Sequence, residues 1–136
     1  PSSLVGSEMC IRDRIKIFCV VDVGEVVDIS GVRSQVEGGI VQAASWSLYE
    51  QVSYDATGIT SRDWDKYQII SFNNIPEFCI DILDRPGSPY LGVGEITTGP
   101  TAAAIANAIN NAVGLRLRQM PFNSEAIKSA ALLSYR

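Results

Sequence analysis

The chain has 136 residues, enough for one modest domain with its own core, and is 46% hydrophobic and 19% charged, the balance of a globular chain. Its 11 Lys and Arg against 15 Asp and Glu give a net charge of −4, which leaves no basic face for nucleic acid, and no apolar run reaches the ~18 residues of a membrane span. With 0 histidines, Ser-His-Asp, Cys-His and HExxH chemistry are excluded within this chain, and Cys10, Cys19 and Cys79 form no CxxC pair for zinc or an iron–sulfur cluster. Acid–base chemistry therefore falls to carboxylates, and redox chemistry to a cofactor.

The first stretch, "PSSLVGSEMCIRDR", shows neither a period of 2 nor one of 3.6. It reads either as a structured N-terminal arm or as foreign sequence, and the second reading is preferred, because "EMCIRDR" resembles a translated sequencing-library adapter. Residues 1–14 are then expected to pack on nothing, the domain runs over 15–136, and the natural N-terminus with any export signal lies elsewhere. Residues 15–23 are mostly β-branched or apolar and read as a buried strand. A helix follows from about Ser30, its expected N-cap, to about Glu50. Within it, Gly38 and Gly39 each cost about 1 kcal/mol against alanine. Such a pair expects something packed on that face, and spacing alone leaves sheet and cofactor equally open.

"QVSYDATGITSRDW" reads as a hairpin turning at Asp55–Gly58, and "YQIISF" and "PEFCIDIL" as strands separated by "NNIP". "TGPTAAAIANAINNAVG" carries helix signals: Thr98 or Gly99 as cap, Pro100 in the first turn and Gly114 as stop. "LRLRQMPF" is a short exposed strand or loop, and "NSEAIKSAALLSY" a closing helix capped by Asn123 or Ser124. Strands and helices mix without strict βαβ alternation, so the expected class is α+β. Trp46 and Trp64 are expected to pack, and Asp22, Asp28 and Glu37 to be caps or solvated charges.

Just before the second long helix stands "PYLGVGEITTGP", a carboxylate held between small residues. A phosphate loop needs Lys and Ser/Thr where this chain has Pro100 and Thr101, and a dinucleotide fingerprint needs a third glycine where it has Thr97. Spacing alone leaves two readings for Glu95: a loop residue with a local hydrogen bond, or a single catalytic carboxylate near a helix N-terminus.

"SQVEGGIVQAASWSLYEQV" and "LGVGEITTGPTAAAIANAINNAVGLRLRQMPF" together resemble the C-terminal part of molybdenum hydroxylase large subunits, the xanthine dehydrogenase and aldehyde oxidase family with its bacterial nicotinate- and isoquinoline-type members. The resemblance implies that Glu95 is the active-site base, taking a proton while water-derived oxygen attacks an electron-poor carbon. It implies that Gln35 hydrogen-bonds the molybdopterin cofactor, with Gly38 and Gly39 as small residues beside it and Gly94 letting the loop approach. Ile96 stands where members often carry Pro or Ala.

The cofactor so implied is molybdenum–molybdopterin, in some members its cytosine dinucleotide form. The partners are a [2Fe–2S] subunit, in some members an FAD subunit, and an aldehyde or N-heteroaromatic substrate whose identity is set outside this stretch. The expected location is cytoplasmic, with the periplasm open while the natural N-terminus is unread. By itself the fragment would be inactive. A reading of another class is a non-catalytic α+β binding or assembly module, which would need neither Glu95 nor Gln35.

Overall fold

The computed structural model describes residues 3–8 and 16–134. Three strands form the main sheet, in the order β1 (Ser3–Glu8), β2 (Lys16–Asp22), β5 (Glu77–Leu83), with β1 antiparallel and β5 parallel to β2. The β2 residues alternate, so Ile17, Cys19 and Val21 are buried on one face. Their partners across the parallel ladder are Phe78, Ile80 and Ile82. On the other face Phe18 is 44% exposed and Lys16 pairs with Glu77 at 3.2 Å, so the strand is buried on one side rather than on both.

The covered face takes α1 (Ile29–Leu48), whose Val32, Val36 and Ile40 recur at helical spacing and are buried against Ile17, Cys19, Val21, Val23 and Ile80. The helix starts slightly earlier than expected. Asp28, not Ser30, is the N-cap, and its Oδ1 accepts from the Ser30 N–H at 3.0 Å. Asp28→Ala should lower stability by about 1 kcal/mol, read as a shift of the denaturant midpoint with unchanged slope.

A short hairpin of β3 (Tyr54–Asp55) and β4 (Gly58–Ile59) follows, as its turn chemistry indicates. The strand expected at "YQIISF" is corrected. The Ile70 N–H bonds to the Ser45 hydroxyl at 3.0 Å and the Tyr67 N–H to the Asp63 carbonyl at 2.8 Å, so neither enters a ladder, and a 3₁₀ turn follows over Phe72–Asn74. Trp64, expected to pack, is 74% exposed.

Helix α2 (Thr98–Val113) lies beside α1 and near β1, and ends on Gly114 in the left-handed conformation, φ 71°. Its N-cap residue is Thr97 instead of Thr98 or Gly99. The last helix, α3 (Ser124–Ser134), is capped by the Asn123 side chain, which accepts from the Ala126 N–H at 2.9 Å. A second apolar cluster joins Ala44 of α1, Ile105 and Ile109 of α2, and Phe122. The class is α+β, as the mixed element order indicates.

The expectation that residues 1–14 pack on nothing is corrected for Ser3–Glu8, which pair with β2 from Ser3↔Val21 to Glu8↔Lys16. Antiparallel pairing is carried by backbone N–H and C=O groups, so a segment without a readable side-chain period can still complete a ladder. The rest of that stretch lies outside the described residues. Among the described helices, none is long and apolar enough to cross a membrane.

Candidate active site

The site is built where two segments meet at the C-terminal ends of the parallel strands β2 and β5. Beyond β5 the chain runs through an irregular loop, not a strand, to the "GVGE" turn. That loop is docked on the end of β2. The Leu91 N–H bonds to the Val23 carbonyl at 2.8 Å, and the Arg85 N–H to the Gly24 carbonyl at 3.0 Å. Gly24 has φ 73°, and any Cβ there would run into the Pro89 carbonyl oxygen. Arg85 also pairs with Asp22 at 2.8 Å, and the Val26 N–H bonds to Asp84 at 3.0 Å, so both strand ends are knitted together.

Val93 and Ile96 are half-buried against the sheet–helix core, and between them Gly94 and Glu95 face solvent. Ile96 is thus an anchor of the turn. The Glu95 carbonyl accepts from the Thr98 N–H at 3.3 Å and from the Thr98 hydroxyl at 2.9 Å, which fixes the backbone. The Glu95 carboxylate is exposed and makes no hydrogen bond or ion pair among the described residues.

Gln35 is exposed on α1, one residue before the buried Val36, and its amide has no hydrogen-bond partner among the described residues. It lines a cleft of about 330 Å³ together with Val27, Asp28 and Val32 on one side and Tyr90, Leu91 and Val93 on the other. Glu95 follows Val93 by two residues and lies outside that lining. The structure therefore brings Gln35 against the loop that carries Glu95, without a direct contact between the two side chains.

The neighbouring glycines behave differently. Gly38, one turn after Gln35, is exposed, and a Cβ there would meet nothing within 4 Å; the same holds at Gly94. Gly39 is buried, and a Cβ there would overlap the Thr97 hydroxyl. Among the described residues it is Thr97 that crowds Gly39, so the helix packs there on the start of α2. Sequence reasoning did not single out Thr97 as a site residue. It is 1% exposed and donates through Oγ1 to the Val36 carbonyl at 3.3 Å. The threonine doublet at the helix start is the available signal, although the caps expected there are Thr98 or Gly99.

Residues 12–76 match the model of a molybdopterin cofactor-binding domain. That stretch includes Gln35, Gly38 and Gly39 and stops before Glu95. The chain is 39% identical over 109 residues to a nicotinate dehydrogenase subunit of Pseudomonas putida, covering 80% of this chain and 9% of that protein. A match 109 residues long in a chain of 136 necessarily takes in both α1 and the Glu95 turn. The chain belongs to the molybdopterin-binding subunit family of the xanthine dehydrogenase and aldehyde oxidase group.

A second relative is a protein of Gluconacetobacter polyoxogenes named membrane-bound aldehyde dehydrogenase [pyrroloquinoline-quinone]. It is 37% identical over 106 residues, 78% of this chain and 14% of that one. Among solved structures, quinoline 2-oxidoreductase from Pseudomonas putida superposes with a TM-score of 0.79 at 27% identity, over 88% of this chain and 16% of that chain. The chain thus spans between about a tenth and a sixth of these family members.

Proposed function

We propose that this chain is part of the catalytic subunit of a molybdenum hydroxylase, with Glu95 as its base and Gln35 as a cofactor ligand. The reaction replaces a C–H bond at an electron-poor carbon of an aldehyde or N-heteroaromatic substrate by C–OH, with water as the oxygen source. Two electrons and two protons leave, the electrons toward a [2Fe–2S] partner subunit and, in one arrangement, an FAD subunit. The single observation that carries the reading is that Gln35, far from Glu95 in sequence, lines a cleft closed on its other side by Tyr90, Leu91 and Val93 of the loop leading to Glu95. Gln35 and the Glu95 turn stand at one end of the fold, both exposed and both with unused polar groups.

The residues present fit such a cofactor. Gln35 offers an amide donor and acceptor with no partner among the described residues, and Gly38 and Gly94 leave open space where side chains would intrude. Among the described residues no three His, Cys, Asp or Glu side chains are placed to hold a metal ion, so a metal here would be carried by its organic ligand. When bound, the molybdenum cofactor, as molybdopterin or its cytosine dinucleotide, supplies the oxygen transfer and the two-electron storage. Gln35 would orient it by hydrogen bonds, and the Glu95 carboxylate takes the proton released as the water-derived oxygen turns nucleophilic. A location in the cytoplasm suits a subunit that must be loaded with a complex cofactor.

The test is metal, pterin and quinone analysis of the full-length subunit purified with its partners. One molybdenum and one pterin per subunit is the expected result. A quinone without molybdenum would instead match the cofactor in the name of its Gluconacetobacter relative. A folded, partner-bound subunit with neither would be a binding or assembly module. In the loaded enzyme, Gln35→Ala should weaken cofactor retention roughly 2- to 10-fold, the loss of one neutral hydrogen bond, with little change in unfolding midpoint.

A further inference from the structure

We infer that Thr97 is a positioning residue: its buried hydroxyl locks the turn carrying Glu95 to the helix carrying Gln35. The inference rests on the proposal that Glu95 is the base. Threonine at an N-cap normally turns its oxygen to the N–H groups of the first helical turn. Thr97 occupies the N-cap of α2 and makes no such bond. Its hydroxyl instead donates across to the carbonyl of Val36, the residue next to Gln35.

At 3.3 Å that bond is long for a hydroxyl, but it is made at a buried position, where losing it leaves a polar group unpaired. Confinement holds the hydroxyl in place to make it. Thr97 is 1% exposed, and Gly39 leaves the one space its Oγ1 can fill. The β-branched side chain has few rotamers to escape into. On the loop side, the Thr98 hydroxyl holds the Glu95 carbonyl at 2.9 Å, and Ile96 and Val93 pack on the core. The backbone under Glu95 is therefore fixed on both flanks while its carboxylate stays free, the arrangement a base needs if its reach is to be set before substrate arrives.

The test uses the assembled full-length enzyme with Thr97→Val, which keeps shape and loses the hydroxyl, and Thr97→Ser, which keeps the hydroxyl. Thr97→Val should lower kcat about 10- to 100-fold with KM and molybdenum content near normal, since a misplaced catalytic group loses rate of that order. Thr97→Ser should restore most of it. Backbone hydrogen exchange over residues 93–98 should quicken in Thr97→Val, a readout independent of turnover; should that variant not assemble, Thr97→Ala takes its place in the exchange measurement. In a Glu95→Gln background, Thr97→Val should have no further effect, because its influence passes through the carboxylate. Unchanged exchange, or an equal loss of kcat in both backgrounds, would overturn the inference. Full turnover by Glu95→Gln alone would instead remove the base role itself, which separates the two failures.

Discussion

Glu95→Gln in the assembled enzyme should lose turnover by about 10²–10⁴-fold while molybdenum and pterin content stay near wild type. The substitution keeps size and hydrogen-bonding reach but removes the proton acceptor. Nothing in the fold depends on the charge: the carboxylate is exposed and makes no ion pair or hydrogen bond among the described residues, while the backbone is held by Thr98 and by the packing of Val93 and Ile96. Loss of activity without loss of loading or of unfolding midpoint is therefore the expected pattern. A matching loss in melting temperature would assign Glu95 a structural role instead.

Alanine at the two adjacent glycines of α1 should have opposite effects on the fold. Gly38→Ala removes a helix-interior glycine where the added Cβ meets nothing, so the subunit without cofactor should gain about 1 kcal/mol. The same change should reduce molybdenum occupancy, because the added methyl stands beside Gln35 in the space proposed for the cofactor. Gly39→Ala places its Cβ on the Thr97 hydroxyl. Overpacking of that kind costs roughly 1–3 kcal/mol, outweighing the gain in helix propensity, and it displaces the Glu95 turn from beneath. Unfolding midpoints of the cofactor-free variants, with metal content of the loaded ones, read both effects. Equal shifts at the two positions would contradict the packing described for α1 and α2.

Much of this fold was legible because its elements carry local signals. Ile17, Cys19 and Val21 alternate, Val32, Val36 and Ile40 recur at helical spacing, and Gly114 stops α2 in the conformation its residue type suits. What was not legible depended on partners distant in the chain. "YQIISF" has the composition of a strand, but Ser45 takes the Ile70 N–H, and no periodicity in the segment reports that. Ser3–Glu8 lacks a readable pattern yet pairs along β2 from Ser3↔Val21 to Glu8↔Lys16. The site divided in the same way. Glu95, Gln35, Gly38, Gly39 and Gly94 were named as site residues by resemblance to a family, while spacing left Glu95 either a loop residue or a single catalytic carboxylate. Thr97 was not singled out because its hydroxyl bonds to Val36, 61 residues away in the chain, and the local signals pointed to Thr98 or Gly99 as the cap.

The base role is tested most directly by the rate at which substrate reduces the molybdenum centre in a single turnover, compared between wild-type enzyme and Glu95→Gln at matched loading. Proton acceptance belongs to the chemical step, so reduction should slow by the same factor as steady-state turnover, about 10²-fold or more. Reduction of Glu95→Gln at the wild-type rate, with molybdenum fully loaded, would contradict the assignment and return Glu95 to a loop residue at the start of a helix.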